Sequence, residues 1–171
     1  MELKYKNLLI RLANRDDAEY LLKYWNESGW SIGLEEACER LEENHSQHMI
    51  EIDGLVIGDI HYGCVENNGA EIGIFIRDEN EREKGYGILV TSIYIDALIN
   101  VLGYDRIRIA TSVDNKAMRH ISENKFGLTP TIHKDVYQEQ SGTSESYAEY
   151  ILEKESWHNK IHYEVIGYHA N

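Results

Sequence analysis

The sequence is poor in the residues that mark several protein classes. Its 171 residues include two cysteines, Cys38 and Cys64, which form no Cys-x-x-Cys pair and have no histidine beside them at a metal-ligand spacing. They therefore predict neither a disulfide scaffold nor a zinc site. The one proline, Pro130, and the absence of low-complexity stretches and fixed repeats indicate one continuous domain over residues 1–171, with a C-terminal tail from about residue 158.

Long apolar runs and positive charge are also scarce. No stretch approaches the ~18 apolar residues of a membrane span, and the N-terminus lacks the apolar region of a signal peptide, so we expect a cytoplasmic protein with no membrane partner. Seventeen Lys and Arg against thirty Asp and Glu give a net charge of −13. This field repels nucleic-acid phosphates and favours cationic partners, although a solvated acidic surface explains the charge equally well.

Hydrophobic periodicity in the first half predicts helices followed by antiparallel strands. A strand over residues 7–13 precedes two amphipathic helices, the second of them rich in glutamate. Residues 48–76 then alternate with period two, and tight turns are expected at residues 53–54 (Asp-Gly) and 67–69 (Asn-Asn-Gly). This segment therefore predicts three antiparallel strands in succession.

The second half alternates helices and strands. We expect a long apolar helix over about residues 89–102, a strand over 106–111, a short helix over 114–124, and last strands over 131–138 and 146–154. The element order is β α α β β β α β α β β. It predicts an α/β (α+β) fold, with a mixed, mostly antiparallel twisted sheet of about seven strands flanked by about four helices.

A glycine-containing segment precedes the long helix. It has the spacing Arg82-x-x-Gly85-x-Gly87, and Lys84 adds a second cation. Glycine lets the backbone approach a ligand, and the first N–H groups of a helix have no intrahelical partner, so the segment is typical of an anion site. Neither the P-loop spacing nor the third glycine of the dinucleotide motif is present.

With its flanking segments, this loop resembles the GCN5-related N-acetyltransferase (GNAT) superfamily, in the branch with ribosomal-protein N-terminal, spermidine and aminoglycoside 6′-acetyltransferases. Residues 82–87 (Arg-Glu-Lys-Gly-Tyr-Gly) match the family signature Gln/Arg-x-x-Gly-x-Gly/Ala. Residues 71–74 (Glu-Ile-Gly-Ile) match the strand before it, and residues 104–117 look like the family's next strand and Asn-initiated helix. The resemblance covers residues 9–157.

The resemblance implies acetyl-CoA as cosubstrate and no metal. It places the pyrophosphate on the loop before the long helix and the pantetheine arm along the preceding strand. The implied cofactor-binding residues are Arg82, Glu83, Lys84, Gly85, Tyr86, Gly87, the backbone of Phe75 and Ile76, and Asn115. For Asn115, a plain helix cap is an equally good explanation.

Amide formation from an amine and a thioester needs a base and an acid, because an amine with a pKa near ~10 is protonated at pH 7. The family-matched base is Glu71, with Asp59 and His61 on the neighbouring strand as alternatives. Many family members have a tyrosine acid where this chain has Ser122, a much weaker acid. Ser122 with a water, or departure of the thiolate without a donor, would take its place. The departure from the family pattern leaves open a catalytically weak or inactive acetyl-CoA-binding or sensing module.

In the family that this chain resembles, the acceptor pocket is formed by the first two helices, the loop between them and the loop that joins the last strands. The candidate substrate-binding residues in this region are Trp30, Tyr24 and Glu27, whereas Trp25 belongs to the core stripe of the first helix. Aromatic rings and carboxylates suit an ammonium group. We therefore expect a cationic primary amine, on a polyamine, an aminoglycoside or a protein N-terminus, that attacks directly in a ternary complex. A homodimer stays an open alternative to a monomer.

Overall fold

One sheet runs through the chain, which a computed structural model describes over residues 1–29, 31–138 and 142–167. Its strands are β1 (Glu2–Tyr5), β2 (Leu8–Leu12), β3 (Gln47–Ile52), β4 (Leu55–Val65), β5 (Gly69–Ile76), β6 (Arg106–Ser112), β7 (Thr131–Gln138), β8 (Thr143–Glu153) and β9 (Glu164–Gly167). The helices are α1 (Ala18–Glu27), α2 (Leu34–Glu43), α3 (Tyr86–Asn100) and α4 (Lys116–His120). A π-helical turn, Ile121–Lys125, continues α4.

The strand order across the sheet is β7-β8-β6-β5-β4-β3-β2-β1-β9, and among these neighbours β5 and β6 form the parallel pair. Their pairing ends at Ile72 and Ile109. Beyond that point β5 continues to Ile76 along β4, and β6 continues to Ser112 along β8. The two strands therefore separate in the middle of the sheet, and a gap opens between their carboxyl-terminal halves.

Helices cover both faces of the sheet. Adjacent residues of a strand point in opposite directions, so each strand contributes side chains to a core on either face. Ile50 of β3 belongs to the larger core, which contains α3 and Met118 of α4. Its neighbour Met49 belongs to a smaller core with α1 and α2. Residues 90–95 of α3 are all buried, which explains why the apolar face predicted for this helix is so wide.

Local sequence signals account for the ends of several elements. Asp53 and Gly54 have φ values of 52° and 79°, as a tight turn between β3 and β4 requires. The Asn14 side chain accepts a hydrogen bond from Asp16 N at 2.8 Å and caps the turn that leads into α1. Gly103, with φ of 82°, follows α3. The tight turn predicted at residues 53–54 is confirmed.

The described sheet has nine strands where about seven are predicted, and the mixed architecture itself is confirmed. The two additional strands, β1 and β9, have four residues each, which is too short for a period of two to stand out. They pair with each other. The segment before β9 returns along α3, where Trp157 Nε1 and the Tyr163 hydroxyl donate to the Asp96 carboxylate at 2.9 and 2.8 Å. The predicted tail is therefore packed on α3 and the sheet as far as Gly167.

Candidate active site

The loop before α3 leaves room for a ligand to approach the backbone. Gly85 has a left-handed φ of 87°, and a side-chain carbon added there would meet no atom within 4 Å. The conformation favours glycine, and the space around it is open. Leu89 N donates to Gly85 O at 3.2 Å, so the N–H groups that precede it in the helix have no partner within the helix. The helix start is therefore suited to an anion.

The two cations of this loop are held by acidic neighbours. Arg82 Nε donates to Ile76 O at 3.1 Å, and Arg82 Nη1 lies 3.4 Å from Glu79 Oε1. Lys84 Nζ lies 2.9 Å from Glu81 Oε1, and this hydrogen bond raises the pKa of Lys84. An anion at this loop would therefore bind mainly to backbone N–H groups, with cations that are already partly neutralised.

The gap between β5 and β6 begins beside this loop. Phe75 and Ile76, the last residues of β5, pair with β4 and have no described partner strand on the β6 side. Such an edge can accept an extended amide chain as an added strand. A helix start with open space, followed by a free strand edge, fits the pyrophosphate and the pantetheine arm of acetyl-CoA in that order.

Asn115 lies on the opposite side of the gap, just past β6. Its side chain accepts a hydrogen bond from Met118 N at 3.1 Å and donates to Thr111 Oγ1 at 2.9 Å. Asn115 therefore caps α4, as the plain structural explanation predicts. Its contact with the cofactor stays a prediction.

Glu71, the predicted base, belongs to a chain of charged groups that crosses four strands. Its Oε2 lies 2.9 Å from Arg108 Nη1, and Arg108 also pairs with Glu149. Glu149 in turn contacts His133 Nε2 at 3.1 Å. The Glu71 carboxylate is therefore already engaged by a guanidinium on the neighbouring strand.

Ser122, the predicted acid, lies in the π-helical turn after α4. Its side chain is buried, and its hydroxyl has no hydrogen-bond partner within the described ranges. A buried hydroxyl without a partner costs free energy, so this position is unusual for a serine. The role of Ser122 as an acid stays a prediction.

A cleft of about 720 Å³ opens on the other face of the sheet, between α1, α2 and strands β3 to β5. The lining residues that bear on its chemistry are Trp25, Glu43, Asp59, His61, Phe75 and Arg77. The gap and the cleft meet at Phe75, because its backbone borders the gap and its side chain lines the cleft.

The predicted acceptor residues contribute less to this cleft than expected. The Tyr24 ring is covered by the Arg77 guanidinium, whose carbon lies 4.2 Å from the ring centroid. Glu27 is exposed at the end of α1 and is not part of the cleft lining. Trp25, assigned to the core by its helical spacing, packs on the smaller core and also lines the cleft. Trp30 lies outside the described residues.

One wall of the cleft is a buried ion pair between two aromatic rings. The Asp59 carboxylate, 1% exposed as a residue, accepts hydrogen bonds from Arg77 Nε at 2.7 Å and from Gln47 Nε2 at 3.3 Å. The Arg77 guanidinium carbon lies 4.1 Å from the Phe75 ring centroid and faces Tyr24 on its other side. These contacts hold Arg77 in a fixed orientation.

His61 lies on the floor of the cleft, where β5 leaves β6. It is paired with Gly73, the first β5 residue beyond the last β5–β6 pair. A side-chain carbon at Gly73 would lie 2.5 Å from His61 Cε1, so the ring rests directly on the bare backbone of β5. Burial lowers the pKa of His61. Because side chains alternate along a strand, the sequence of β4 predicts that His61 shares a face with Asp59. Its position over the gap, however, depends on the register between β4 and β5.

Other site chemistry is sparse. Within residues 1–29, 31–138 and 142–167, no group of three or more His, Cys, Asp or Glu side chains could hold a metal ion. None of the helices in these ranges combines the length and the apolar character needed to cross a lipid bilayer. Cys38 and Cys64 are free thiols, the first buried and the second exposed.

The site combines a helix start suited to phosphate, an adjoining open strand edge and a cleft on the opposite face of the sheet. These are the features of a two-substrate group transferase. Residues 7–128 match a family model described as an acetyltransferase (GNAT) domain. The chain therefore belongs to the GNAT acetyltransferase family and is an N-acetyltransferase by that membership, which confirms the resemblance seen in the loop and its flanks. A comparison with curated protein sequences finds no match.

Solved acetyltransferase structures have the same fold at low sequence identity. An acetyltransferase (GNAT family) from Bacillus anthracis is 18% identical, with a TM-score of 0.72 over 91% of this chain and 99% of that one. The ribosomal-protein alpha-N-acetyltransferase RimL in complex with coenzyme A is 17% identical, with a TM-score of 0.71 over 87% and 95%. A spermidine N-acetyltransferase, a SpeG chimera from Vibrio cholerae and hSSAT, is 17% identical, with a TM-score of 0.73 over 88% and 97%.

Proposed function

We propose that the protein transfers the acetyl group of acetyl-CoA to a primary amine of a cationic acceptor, by direct attack in a ternary complex. The observation that carries this proposal is the meeting of the gap and the cleft at Phe75 and Gly73. A thioester in the gap and an amine in the cleft would approach each other there from opposite faces of the sheet. Direct transfer needs no covalent enzyme intermediate.

For the cofactor, we assign the pyrophosphate to the backbone of residues 82–87 and the pantetheine amides to the free edge of Phe75 and Ile76. The open space at Gly85 and the unpaired helix start support this assignment. Asn115, across the gap, would border the same ligand from the start of α4.

For the acceptor, the charge and the aromatic lining of the cleft favour an ammonium group. Arg40 and Arg77 line it, but each pairs with a carboxylate, Glu36 at 2.9 Å and Asp59 at 2.7 Å. Glu43 lines it with no ion-pair partner in the described part of the chain. Trp25 adds a ring face for cation–π contact. A net charge of −13 attracts such acceptors from a distance.

The acceptors named for similar structures are amines as well. The SpeG chimera is named as a spermidine N-acetyltransferase and RimL as an alpha-N acetyltransferase of a ribosomal protein. For this chain we propose a polyamine or a protein N-terminus, as named for those structures, or an aminoglycoside, with Tyr24, Glu27 and Trp30 as the predicted acceptor residues of α1 and its C-terminal end. Glu71 as base, Ser122 as acid, a cytoplasmic location and a homodimer stay predictions.

The test is release of free CoA thiol from acetyl-CoA with a panel of amines, run beside calorimetric titration with acetyl-CoA. We expect saturable turnover with at least one of spermidine, an aminoglycoside set and peptides with free N-termini, and none with the same peptides acetylated at the N-terminus. Binding of acetyl-CoA without turnover of any amine would contradict the proposal and favour a binding or sensing module.

A further inference from the structure

One side chain of β4, that of His61, faces the point where the gap and the cleft meet. His61 pairs with Gly73, and Gly73 follows directly on Ile72, where the β5–β6 pairing ends. The same alternation puts Asp59 and Gly63 on the face of β4 that carries His61. His61 therefore projects into the cleft at the level where a thioester in the gap would lie.

The surroundings of His61 hold its ring in one place. Only a glycine at position 73 leaves space for the ring, because an added carbon would come within 2.5 Å of Cε1 and 2.7 Å of Nε2. The Phe75 ring lies nearly parallel to the imidazole, at an interplanar angle of 21° and a centroid distance of 6.2 Å. The ring is partly buried, lines the cleft and is thus within reach of an acceptor bound there.

Charged groups of both signs face this ring. Asp59 and Glu71 favour its protonated form, Arg77 opposes it, and Glu43 and Arg40 line the same cleft farther out. Burial outweighs the two carboxylates and lowers the pKa of His61 below its ordinary 6.5. At neutral pH the imidazole is therefore uncharged and has a lone pair available.

We propose that His61 is the general base of the transfer, an inference that rests on the proposed function. The acceptor ammonium first releases one proton to water in the open cleft, which leaves a neutral amine. Its nitrogen attacks the thioester carbon, a C–N bond forms, and the C–S bond breaks with its electron pair going to sulfur. The proton lost by the nitrogen passes to a ring nitrogen of His61. The imidazolium then returns that proton, through water in the open cleft, to the thiolate, so that His61 ends neutral and the thiol is complete.

Glu71 is less well arranged for this role. Its carboxylate lies 2.9 Å from Arg108 Nη1 and is therefore already engaged in an ion pair on the neighbouring strand. Glu71 instead adds negative charge beside His61, which stabilises the imidazolium that forms when the proton is transferred.

The test uses the acceptor that the wild-type chain acetylates. We expect His61→Gln to lower kcat at least ~100-fold, the usual range for loss of a general base, with KM for acetyl-CoA changed less than about twofold. The acidic limb of the wild-type pH–kcat profile should disappear in His61→Gln, and added imidazole should partly restore the rate of His61→Ala. His162→Gln is the matched control, because His162 is exposed on the segment that packs against α3 and does not line the cleft.

A second variant leaves the imidazole chemically intact. Gly73→Ala should displace the His61 ring and lower kcat, with acetyl-CoA affinity retained. Thermal unfolding of each variant separates loss of the base from loss of the fold. If His61→Gln keeps kcat within about threefold and keeps the acidic limb, the role of His61 is refuted while the proposed function stands. A wild-type chain that acetylates no amine would overturn both.

Discussion

The two faces of the β5–β6 gap are built in different ways. On the α3 face, the candidate cofactor site consists mainly of backbone groups within residues 75–87, with Asn115 across the gap, and its cations Arg82 and Lys84 are tied to neighbouring carboxylates. On the α1–α2 face, the cleft is built from side chains contributed by two helices and three strands. A ligand shared by a whole family can be bound by main-chain geometry, whereas an acceptor that differs between members depends on side chains that vary.

The difference also concerns charge. A polyanionic cofactor has to approach a chain of net charge −13, and the unpaired N–H groups at the start of α3 offer it a local positive potential. In the cleft the unfavourable charge is positive, since unpaired arginines would repel an ammonium group. Pairing of Arg77 with Asp59 and of Arg40 with Glu36 removes that obstacle.

Gly85→Glu is expected to have the largest effect, because it puts a carboxylate at the start of α3 and forces a left-handed φ on a side chain. We expect acetyl-CoA affinity to fall by about a thousandfold, or about 4 kcal/mol, by calorimetric titration. Gly54→Glu is the control, since Gly54 has a φ of 79°, has open space around it and lies in the β3–β4 turn. Unchanged affinity in Gly85→Glu would refute the main-chain site.

Arg77→Ala tests the cleft wall. It would leave the Asp59 carboxylate buried without its cation, which typically costs about 3 kcal/mol or more and would lower Tm by roughly 6–12 °C in a chain of this size. Arg40→Ala removes the other paired arginine of the cleft, but that pair is exposed, so we expect a loss below about 0.5 kcal/mol. Adding Asp59→Asn to Arg77→Ala should recover much of the loss. Equal, small losses in both single variants would show that the buried pair does not hold the wall.

The sequence alone predicts the conformation of the loop before α3 well, since residues 82–87 are contiguous and Gly85 adopts a left-handed φ of 87°. The turns at residues 53–54 and 67–69 are local in the same sense, and Asn67 and Asn68 adopt the positive φ values, 60° and 53°, that asparagine tolerates in a tight turn. The short strands β1 and β9 could not be predicted, because a four-residue edge strand is stabilised by its pairing and has little periodicity of its own.

The acceptor side is much harder to predict. Helical spacing assigns Trp25 to a core stripe, and it does pack there, but the cleft it also lines exists only once α1, α2 and the sheet are assembled. The position of His61 over the gap depends on its pairing with Gly73, a contact between two strands that no local pattern specifies. Periodicity and motifs therefore do not identify residues that act through tertiary contacts.

The two faces of the sheet also differ in a buried histidine whose protonation depends on pH. His48 of β3 and His61 of β4 lie on opposite faces. His48 is fully buried beside Tyr94, whose hydroxyl lies 3.0 Å from Nδ1, and burial lowers the pKa of His48 to about 4. Between about pH 6.5 and pH 4 the unfolded chain binds a proton at this residue that the folded chain does not. The unfolding free energy should therefore fall as the pH falls through this window, by up to ~3 kcal/mol from His48 alone.

Urea unfolding at pH 7.5 and pH 5 measures this effect. His48→Asn should be less stable than wild type at pH 7.5 but should lose less stability on acidification. His162→Asn, at an exposed position, should follow the wild-type pH dependence. Equal losses in wild type and His48→Asn would show that His48 is protonated as readily in the folded chain as in the unfolded one.

The smallest expected effects concern two buried hydroxyl groups on the α3 face, of which one makes a hydrogen bond and the other does not. Thr91 Oγ1 donates to Gly87 O at 2.6 Å, whereas Ser122 Oγ has no partner in the described part of the chain. Thr91→Val should therefore cost about 1 kcal/mol, and Ser122→Ala should stabilise by up to ~1 kcal/mol, since it removes an unsatisfied polar atom. The same Ser122→Ala variant decides on the predicted acid. If Ser122 protonates the thiolate, kcat falls at least ~tenfold while Tm rises, and if the thiolate receives its proton from His61, only Tm changes.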